Sequence, residues 1–369
     1  MKITLNRALF SDALELTSNV IAKKSINPIL NNVLLNAKDN FLEIIATDLE
    51  VSLIIKLDAE ISEPGQVTVM NSLLREIVKA AQSEKVSLET ADSGNITVKA
   101  PGTPYQANLH SISAEDFPVP NRDELTNAPS FFIKGFTLKE MLSKNLPFAA
   151  KDDVRYTFNS VFFEKENLEF KTVSSDTKRL ALAKTFVDAE TKNFTMLIPI
   201  KAAKIIRDFL ESADSDLEIK IMPKKSGFIC ENMTLISNQI GGTFPDYRMV
   251  IPDMTNHLIS LSKSAFLFLI KSLTPFLTGD IQKIILSFKP GNLIAYTDEN
   301  ELGKGENSLP INYEGESFEM AFSYRFLLDI ISAIDEEEML IKIKETDKPA
   351  IFIGKDNDKA LFVSVPMQR

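Results

Sequence analysis

Internal repetition constrains the fold of this chain more than any other feature of its sequence. Three segments follow one scheme: a strand-like apolar run, a polar turn, a second apolar run and then Thr-Asp or Ser-Asp. These segments are residues 33–51, 161–183 and 286–303. Their aspartates, Asp48, Asp176 and Asp298, are spaced by 128 and 122 residues. A shared scheme at a nearly constant period indicates a structural unit that has been triplicated.

Two helix-like patterns keep the same period. One set begins near residues 69, 198 and 322, and its second member has an apolar face opposite Lys201 and Lys204 at helical spacing. The other set follows a strand at the start of each repeat, where Asn6, Thr137 and Ser262 are candidate N-caps. We therefore predict three domains, each with two helices and several short strands. The predicted domains are residues 1–127, 128–253 and 254–369.

The net charge of −10 argues against a nucleic-acid partner, but the charge distribution argues for one. Six helical segments hold 13 basic and 7 acidic residues, whereas the rest of the chain holds 28 basic and 44 acidic residues. The segments are residues 6–24, 71–82, 137–150, 200–212, 263–277 and 323–334. Phosphates attract such cationic helices without regard to base sequence. Lysine also favours helices and hydrated surfaces, so a solvated helix face is the alternative interpretation.

Cysteine content and hydropathy predict the compartment. Cys230 is the single cysteine, so the chain has no disulfide framework. No apolar run approaches the roughly 18 residues of a membrane span. Asp12 and Glu15 interrupt the N-terminal apolar stretch, which is unlike a signal peptide. We expect a cytoplasmic protein without a membrane partner.

The sequence contains no recognisable catalytic motif. His110 and His257 lie far apart and outside any metal-binding spacing, and no phosphate-binding glycine motif or nucleophile elbow occurs. Cys230 lies in a strand-like segment and is predicted to be a core residue. Acidic stretches at 212–216 and 335–338 are predicted to be solvated loops rather than cation sites. We predict no catalytic residue, metal or cofactor, although a carboxylate pair for acid–base chemistry stays open as an alternative.

Five motifs together resemble the bacterial sliding clamp, the β subunit of DNA polymerase III. In chain order they are INPILNNVLLNAKDNFLEIIATDLEVSL, DVRYTFNSVFFE, SSDTKRLALAK, GGTFPDYRMVIP and VSVPMQR. The resemblance implies an α+β chain of three repeated clamp domains, two helices each, with antiparallel sheets. Two chains would join head to tail in a dimeric ring around double-stranded DNA. Such a protein is not an enzyme; it holds DNA polymerase III on its template and is opened by a separate clamp loader.

The resemblance also implies a groove for short Leu/Phe-containing peptides of the polymerase III catalytic subunit, the clamp loader, other polymerases and repair proteins. Carried over by position, its residues are Arg155, Phe158, Ser175, Thr177, Lys178, Arg179, Leu180, Pro245, Met249, Val250, Val363, Val365, Pro366 and Met367. An apolar surface for Leu and Phe anchors, stiffened by proline, suits this role. Thr177 and Lys178 stand where clamps commonly have Gly-His, and the chain ends on Gln368 and Arg369 rather than on the usual basic-then-apolar pair.

DNA and dimer contacts are expected from the same resemblance. Lys24 and Tyr156 match family positions near DNA, and helix periodicity adds Arg75, Lys79, Lys201 and Lys204 as phosphate contacts. For the dimer we expect an edge strand at residues 105–113, which includes Leu109, to meet a region near 271–273 of the second copy. Two rival functions remain: a protein-binding scaffold of the same fold without DNA, and a hydrolase or transferase built on duplicated α+β domains.

Overall fold

The computed structural model describes residues 1–21, 27–91, 94–188, 192–210, 215–279 and 282–368. The chain forms two compact units. Unit 1 comprises Met1–Lys139 and Lys201–Gln239, and unit 2 comprises Glu140–Ile200 and Ile240–Arg369. Every pair of neighbouring strands among the described residues is antiparallel, as expected for α+β domains. None of the described helices is long and apolar enough to cross a membrane.

Unit 1 contains two sheets. The five-stranded sheet runs in the order β5 (Glu60–Glu63), β1 (Lys2–Asn6), β7 (Lys85–Thr90), β8 (Ile96–Lys99) and β9 (Gln106–Leu109). The nine-stranded sheet runs in the order β10 (Ser111–Ile112), β6 (Gly65–Met70), β2 (Asn32–Lys38), β3 (Phe41–Thr47), β4 (Val51–Asp58), β18 (Met233–Asn238), β17 (Lys225–Cys230), β16 (Asp216–Ile221) and β11 (Ser130–Lys134). Strands of the first two repeats therefore share one sheet.

Unit 2 also contains two sheets. The eight-stranded sheet runs in the order β15 (Phe194–Pro199), β12 (Ser160–Glu166), β13 (Glu169–Ser175), β14 (Arg179–Phe186), β26 (Ala360–Ser364), β25 (Ala350–Gly354), β24 (Glu338–Ile343) and β19 (His257–Ser262). The four-stranded sheet runs in the order β22 (Glu306–Pro310), β21 (Asn292–Tyr296), β20 (Lys283–Lys289) and β23 (Phe318–Ser323). Strands of the second and third repeats share the larger sheet.

Within the described residues, six helices of ten to twelve residues each follow a strand directly, and one short helix precedes β11. In chain order the helices are α1 (Arg7–Ser18), α2 (Asn71–Ala80), α3 (Asp123–Asn127), α4 (Gly135–Asn145), α5 (Ile200–Phe209), α6 (Lys263–Ser272) and α7 (Tyr324–Ala333). The helices α4 and α6 end earlier than their patterns predict, because each is followed by a 3-10 turn that contains a proline, Pro147 or Pro275. The short α3 was not predicted.

Two of the three predicted N-caps are present. The side chain of Asn6 accepts hydrogen bonds from the backbone N–H groups of Ala8 (2.9 Å) and Leu9 (3.1 Å), and Ser262 caps α6 in the same way. The prediction for Thr137 is wrong, because α4 already begins at Gly135. The Gly135 N–H donates to the carbonyl of Ser215 at 3.0 Å, and a Cβ at Gly135 would lie only 3.0 Å from that oxygen. Glycine therefore permits the close approach that starts the helix early.

The repeated Thr-Asp and Ser-Asp dipeptides form a turn between two strands. Asp48 accepts the N–H of Val51 at 2.7 Å, and Asp176 accepts the N–H of Arg179 at 3.0 Å, so both close the same loop. The third aspartate was misaligned by one residue. Strand pairing places Glu299 at the equivalent position, and Asp298 instead forms an ion pair with Lys283 at 2.7 Å.

The repeats are joined by one recurring strand pairing. The strand β4 of the first repeat pairs with β18, the last strand of the second repeat, and Ile54 lies opposite Thr234. The strand β14 of the second repeat pairs with β26, the last strand of the third repeat, and Leu182 lies opposite Leu361. The two corresponding strands that remain, β22 of the third repeat and β9 of the first, each lie at the end of a sheet.

Candidate functional site

Eleven of the fourteen predicted groove residues line one cavity of unit 2, with a volume of about 390 Å³. The cavity is lined by Arg155, Phe158, Ser175, Thr177, Lys178, Arg179, Leu180, Phe244, Pro245, Asp246, Tyr247, Val250, Pro349, Val363 and Val365. We call it the groove. Segments that are far apart in sequence meet here because β14 and β26 are neighbours in one sheet.

The floor of the groove is apolar. Leu180 and Val363 lie opposite each other on β14 and β26 and are 3% and 2% exposed. Phe244 lies over the same face of the sheet, where its ring stacks on Phe162 with centroids 5.0 Å apart. Phe158 packs edge-on against Phe244 at 5.9 Å. These contacts hold the apolar surface in place.

One wall is the turn that precedes β14. The Ser175 hydroxyl accepts the N–H of Thr177 at 3.0 Å and donates to the carbonyl of Arg179 at 2.8 Å. Thr177 has a φ of 74°, a left-handed conformation that disfavours a β-branched residue. Lys178 is exposed, and its ammonium group has no ion pair among the described residues. Its carbonyl accepts the N–H of Val365 at 2.9 Å, which ties the turn to the C-terminal segment.

Arg179 is a structural cation rather than a free charge. Its side chain is 7% exposed, and its Nε donates to Asp176 at 2.9 Å. The two terminal nitrogens donate to Asp329 of α7 at 2.5 Å and to the Pro147 carbonyl at 2.7 Å. Its guanidinium also lies 4.3 Å from the ring centroid of Phe326. All three nitrogens are therefore occupied, and Arg179 holds the groove wall in place.

The segment GGTFPDYRMVIP forms the other wall. Asp246 begins a 3-10 turn over Tyr247–Val250 by accepting the N–H of Arg248 at 3.2 Å. The Tyr247 hydroxyl donates to the buried carboxylate of Glu164 at 2.6 Å, and Arg248 donates to the same carboxylate at 3.0 Å. Burial, followed by the Glu164 hydrogen bond, raises the pKa of Tyr247 well above its usual range. The segment is therefore anchored on the face of the eight-stranded sheet.

Three predicted groove residues lie outside the cavity lining. Met249 is at the tip of the 3-10 turn and is 84% exposed. Pro366 and Met367 follow Val365, but the Met367 N–H donates to the carbonyl of Ala321 at 2.7 Å, which directs this end of the chain to β23. Conversely, sequence analysis missed Phe244, Asp246, Tyr247 and Pro349, of which the first three lie in a motif that it had singled out.

Three of the six expected DNA contacts have ion-pair partners within unit 1. Both Lys79 and Arg75 form ion pairs with the carboxylate of Glu15, with nitrogen–oxygen distances of 2.9 Å and 3.4 Å. The hydrogen bond from Lys79 contributes most to lowering the pKa of the Glu15 carboxyl. The Lys201 ammonium contacts Asp48. Lys24 lies outside the described residues.

The remaining expected DNA contacts are more accessible. Lys204 is exposed on α5 in unit 1, and Tyr156 is 72% exposed in unit 2; neither side chain has an ion pair or a hydrogen bond among the described residues. Two more helix cations in unit 2, Lys271 and Arg325, are equally exposed and unpaired within the described part of the chain. Arg325 is the second residue of α7, and Lys201 is the second residue of α5. Aligning the repeats would therefore have identified Arg325 as a further candidate DNA contact.

The expected dimer strand lies at a sheet end. Leu109 belongs to β9, but its side chain is 3% exposed, so the backbone of β9 and not this side chain is available at the edge. In the region 271–273, Leu273 is buried and Lys271 is exposed. Among the residues that the structure describes, no group of three or more His, Cys, Asp or Glu side chains could hold a metal ion.

Comparisons with known proteins match the whole chain. Family models for the DNA polymerase III β subunit match residues 1–121 (N-terminal domain), 133–246 (central domain) and 248–368 (C-terminal domain). The chain is 28% identical over 370 residues to the beta sliding clamp of Chlamydia muridarum, covering 100% of this chain and 99% of the relative. It is 27% identical over 375 residues to the beta sliding clamp of Caulobacter vibrioides, covering both chains fully.

Solved structures agree. A beta sliding clamp of C. crescentus superposes with a TM-score of 0.92 at 26% identity over the full length of both chains. A sliding clamp of Pseudomonas aeruginosa has the same fold, with a TM-score of 0.94 at 24% identity over both full chains. The fold and the matches define a protein of DNA replication with three clamp domains. The chain belongs to the family of DNA polymerase III β subunits, the bacterial sliding clamps, whose role is that of a processivity factor.

Proposed function

We propose that this chain acts as a DNA sliding clamp whose groove binds short Leu/Phe-containing peptides of its partners. The partners proposed are the DNA polymerase III catalytic subunit, the clamp loader, other polymerases and repair proteins. The observation that carries the peptide-binding proposal is the preformed apolar floor at Leu180 and Val363 beneath two anchored walls. We further propose that the protein is cytoplasmic and has no catalytic activity, metal or cofactor of its own.

The groove suits two apolar anchors and little else. Each Leu or Phe side chain that it fully buries would contribute about 1.5–3 kcal/mol of transfer free energy. The walls are fixed by the Tyr247–Glu164 and Arg179–Asp329 hydrogen bonds, so little ordering is required of the protein on binding. Lys178 offers an accessible charge at the mouth of the groove.

Fluorescence anisotropy with a labelled octapeptide that contains Leu and Phe tests the groove. Val363→Ala should weaken binding at least tenfold, because it removes part of the floor. The matched control is Ile236→Ala, at the equivalent position of the last strand of the second repeat, where the side chain is 7% exposed in unit 1. Equal affinities of both variants and the wild type would reject the groove as the binding site.

The strand pairing supports a ring of two chains. Since β4 pairs with β18 and β14 pairs with β26, the equivalent partner for β22 is β9 of a second copy. The two edges differ and lie on different repeats, so the contact is head to tail, and a second contact of the same kind would close a ring of two copies. In this register Gln106 of one copy lies opposite Glu306 of the other. The edges that would be unprotected in a single chain are then paired.

DNA would pass through the ring and touch cationic helices through its phosphates. The proposed contacts are Lys24, Arg75, Lys79, Tyr156, Lys201 and Lys204, and we add Lys271 and Arg325 because both are exposed helix cations. Because Glu15 and Asp48 already neutralise several of these cations, direct affinity should be low and salt-dependent. Retention would then come from encirclement. A scaffold without DNA, one of the two rival functions, would not be retained on any DNA.

A further inference from the structure

A second cavity of unit 2, larger than the groove, lies on the same face of the eight-stranded sheet. Its volume is about 710 Å³, against about 390 Å³ for the groove. Its large aliphatic side chains are Leu182, Ile251, Ile353 and Leu361, of which the last three are only partly buried. We call it the adjoining cavity. No residue predicted for the groove lines it.

The groove and the adjoining cavity are built on the same two strands. Leu180 lines the groove and Leu182 the adjoining cavity, at consecutive same-face positions of β14. Val363 and Leu361 repeat this arrangement on β26. Same-face neighbours on a strand are about 7 Å apart. A polypeptide in the groove therefore reaches the adjoining cavity within a few residues.

The segment Tyr247–Ile251, which separates the two cavities, is largely apolar and partly exposed. Tyr247 lines both cavities, Val250 lines the groove, and Ile251 lines the adjoining cavity. Between them, Met249 is 84% exposed and Val250 is 47% exposed. On the far side, Phe186 continues the same face of β14 and is 75% exposed. Exposed apolar side chains in a row along two cavities indicate a surface that a partner covers.

The charges around the adjoining cavity are mostly satisfied. Glu169 forms ion pairs with Lys171 at 2.9 Å and with Lys184 at 3.7 Å. The hydrogen bond from Lys171 contributes most to lowering the pKa of Glu169, and the two lysines together outweigh the opposite effect of burial. Lys342 is different: it is half-buried in the lining, and it has no ion pair or hydrogen bond through its side chain among the described residues. A half-buried, unpaired ammonium gains most from an incoming carboxylate.

We propose that the adjoining cavity is a second docking site for the same partner polypeptide that occupies the groove. It receives an apolar side chain that flanks the Leu/Phe anchors, and Lys342 receives an acidic residue beside it. This inference rests on the proposed peptide-binding function and extends it, because it specifies the chemistry of the flanking residues. Continuity on β14 and β26 favours one continuous partner over a separate ligand.

A peptide library tests the proposal. A constant Leu/Phe core would be flanked on each side by six random residues and selected on the full-length protein. The expected winners carry an apolar residue and an Asp or Glu in one flank. Two synthetic peptides, the core alone and the core with the selected flank, would then be titrated by fluorescence anisotropy. The flank should raise affinity for the wild type at least tenfold, equivalent to about 1.4 kcal/mol.

Variants separate this site from the groove. Lys342→Glu and, independently, Leu361→Ser should each remove most of the gain from the flank while leaving the affinity for the core unchanged. Unchanged core affinity shows that the variants are folded. A flank in which Ser replaces the apolar residue should behave like the core alone.

Three results would overturn the inference. The first is a selection without apolar and acidic enrichment, and the second is a flank gain that persists in both variants. The third is failure of the core peptide to bind wild-type protein, which would reject the groove as well. Normal core binding without any gain from the flank would reject the adjoining cavity alone.

Discussion

Replacing Thr177 with glycine should stabilise the protein, because the turn at the groove wall holds a β-branched residue at φ 74°. A left-handed backbone costs an L-residue about 1–2 kcal/mol, whereas glycine adopts it without a steric penalty. Glycine in turn loses about 0.5–1 kcal/mol through its greater freedom in the unfolded chain. Thr177 is exposed, so little packing is lost. The net gain for Thr177→Gly should be about 0.5–1 kcal/mol.

Differential scanning calorimetry measures this gain as a rise of about 1–4 °C in the midpoint of unfolding. Leu49→Gly is the matched variant, since Leu49 has φ 77° in the equivalent turn of unit 1 and its N–H likewise donates to a hydroxyl, that of Thr47, at 3.0 Å. It should show a similar rise. Thr177→Ala, which keeps a Cβ, should gain less than Thr177→Gly. A midpoint that falls in both glycine variants would refute the argument from backbone strain.

Three further predictions concern DNA, the dimer and pH. Glu15→Gln should free Arg75 and Lys79 of α2 from their ion pairs, so that DNA affinity rises. The slope of log affinity against log salt concentration should steepen by about 0.9 for each added phosphate contact. An unchanged slope would show that these two cations do not contact DNA. Gln106→Glu should place a negative charge opposite Glu306 of the second copy and raise the dimer dissociation constant several-fold in sedimentation equilibrium. Gln106→Lys should not raise it. Equal dissociation constants for the two variants would reject the proposed register. Because the pKa of Tyr247 is raised in the folded protein, its contribution to stability is complete below pH about 10 and is lost as pH rises further. Tyr247→Phe should therefore reduce the loss of unfolding free energy at alkaline pH, measured by urea titration. A loss equal to that of the wild type would contradict this prediction.

The sequence predicted the repeats well because strand alternation and helix periodicity are local signals. The helices that begin after Met70, Pro199 and Ser323 follow the predicted period, and both patterns are set by residues close in the chain. The Thr-Asp dipeptide of the third repeat lies one residue earlier than its counterparts, so matching the dipeptides misled the alignment at Glu299. Only the hydrogen-bonded pairing of β20 with β21 settles that register.

The groove residues could be located from the family resemblance, but their roles could not. Arg179 was placed in the groove by position alone, and only packing against α7 shows that it is buried beside Asp329. Pro349 gave no local signal, since it enters the groove through β-sheet topology. Pairing of Lys201 with Asp48 was equally invisible, because the partners are far apart in sequence. Long-range packing decides which charges stay free.

Retention on DNA of defined topology tests the central claim most directly. The protein would be loaded onto nicked circular plasmid with a clamp loader and ATP, and the plasmid would then be cut once before gel filtration. A ring that encircles duplex DNA should co-elute with the circle at moderate salt and separate from the cut, linear DNA. Co-elution with both forms, or with neither, would contradict a topological link.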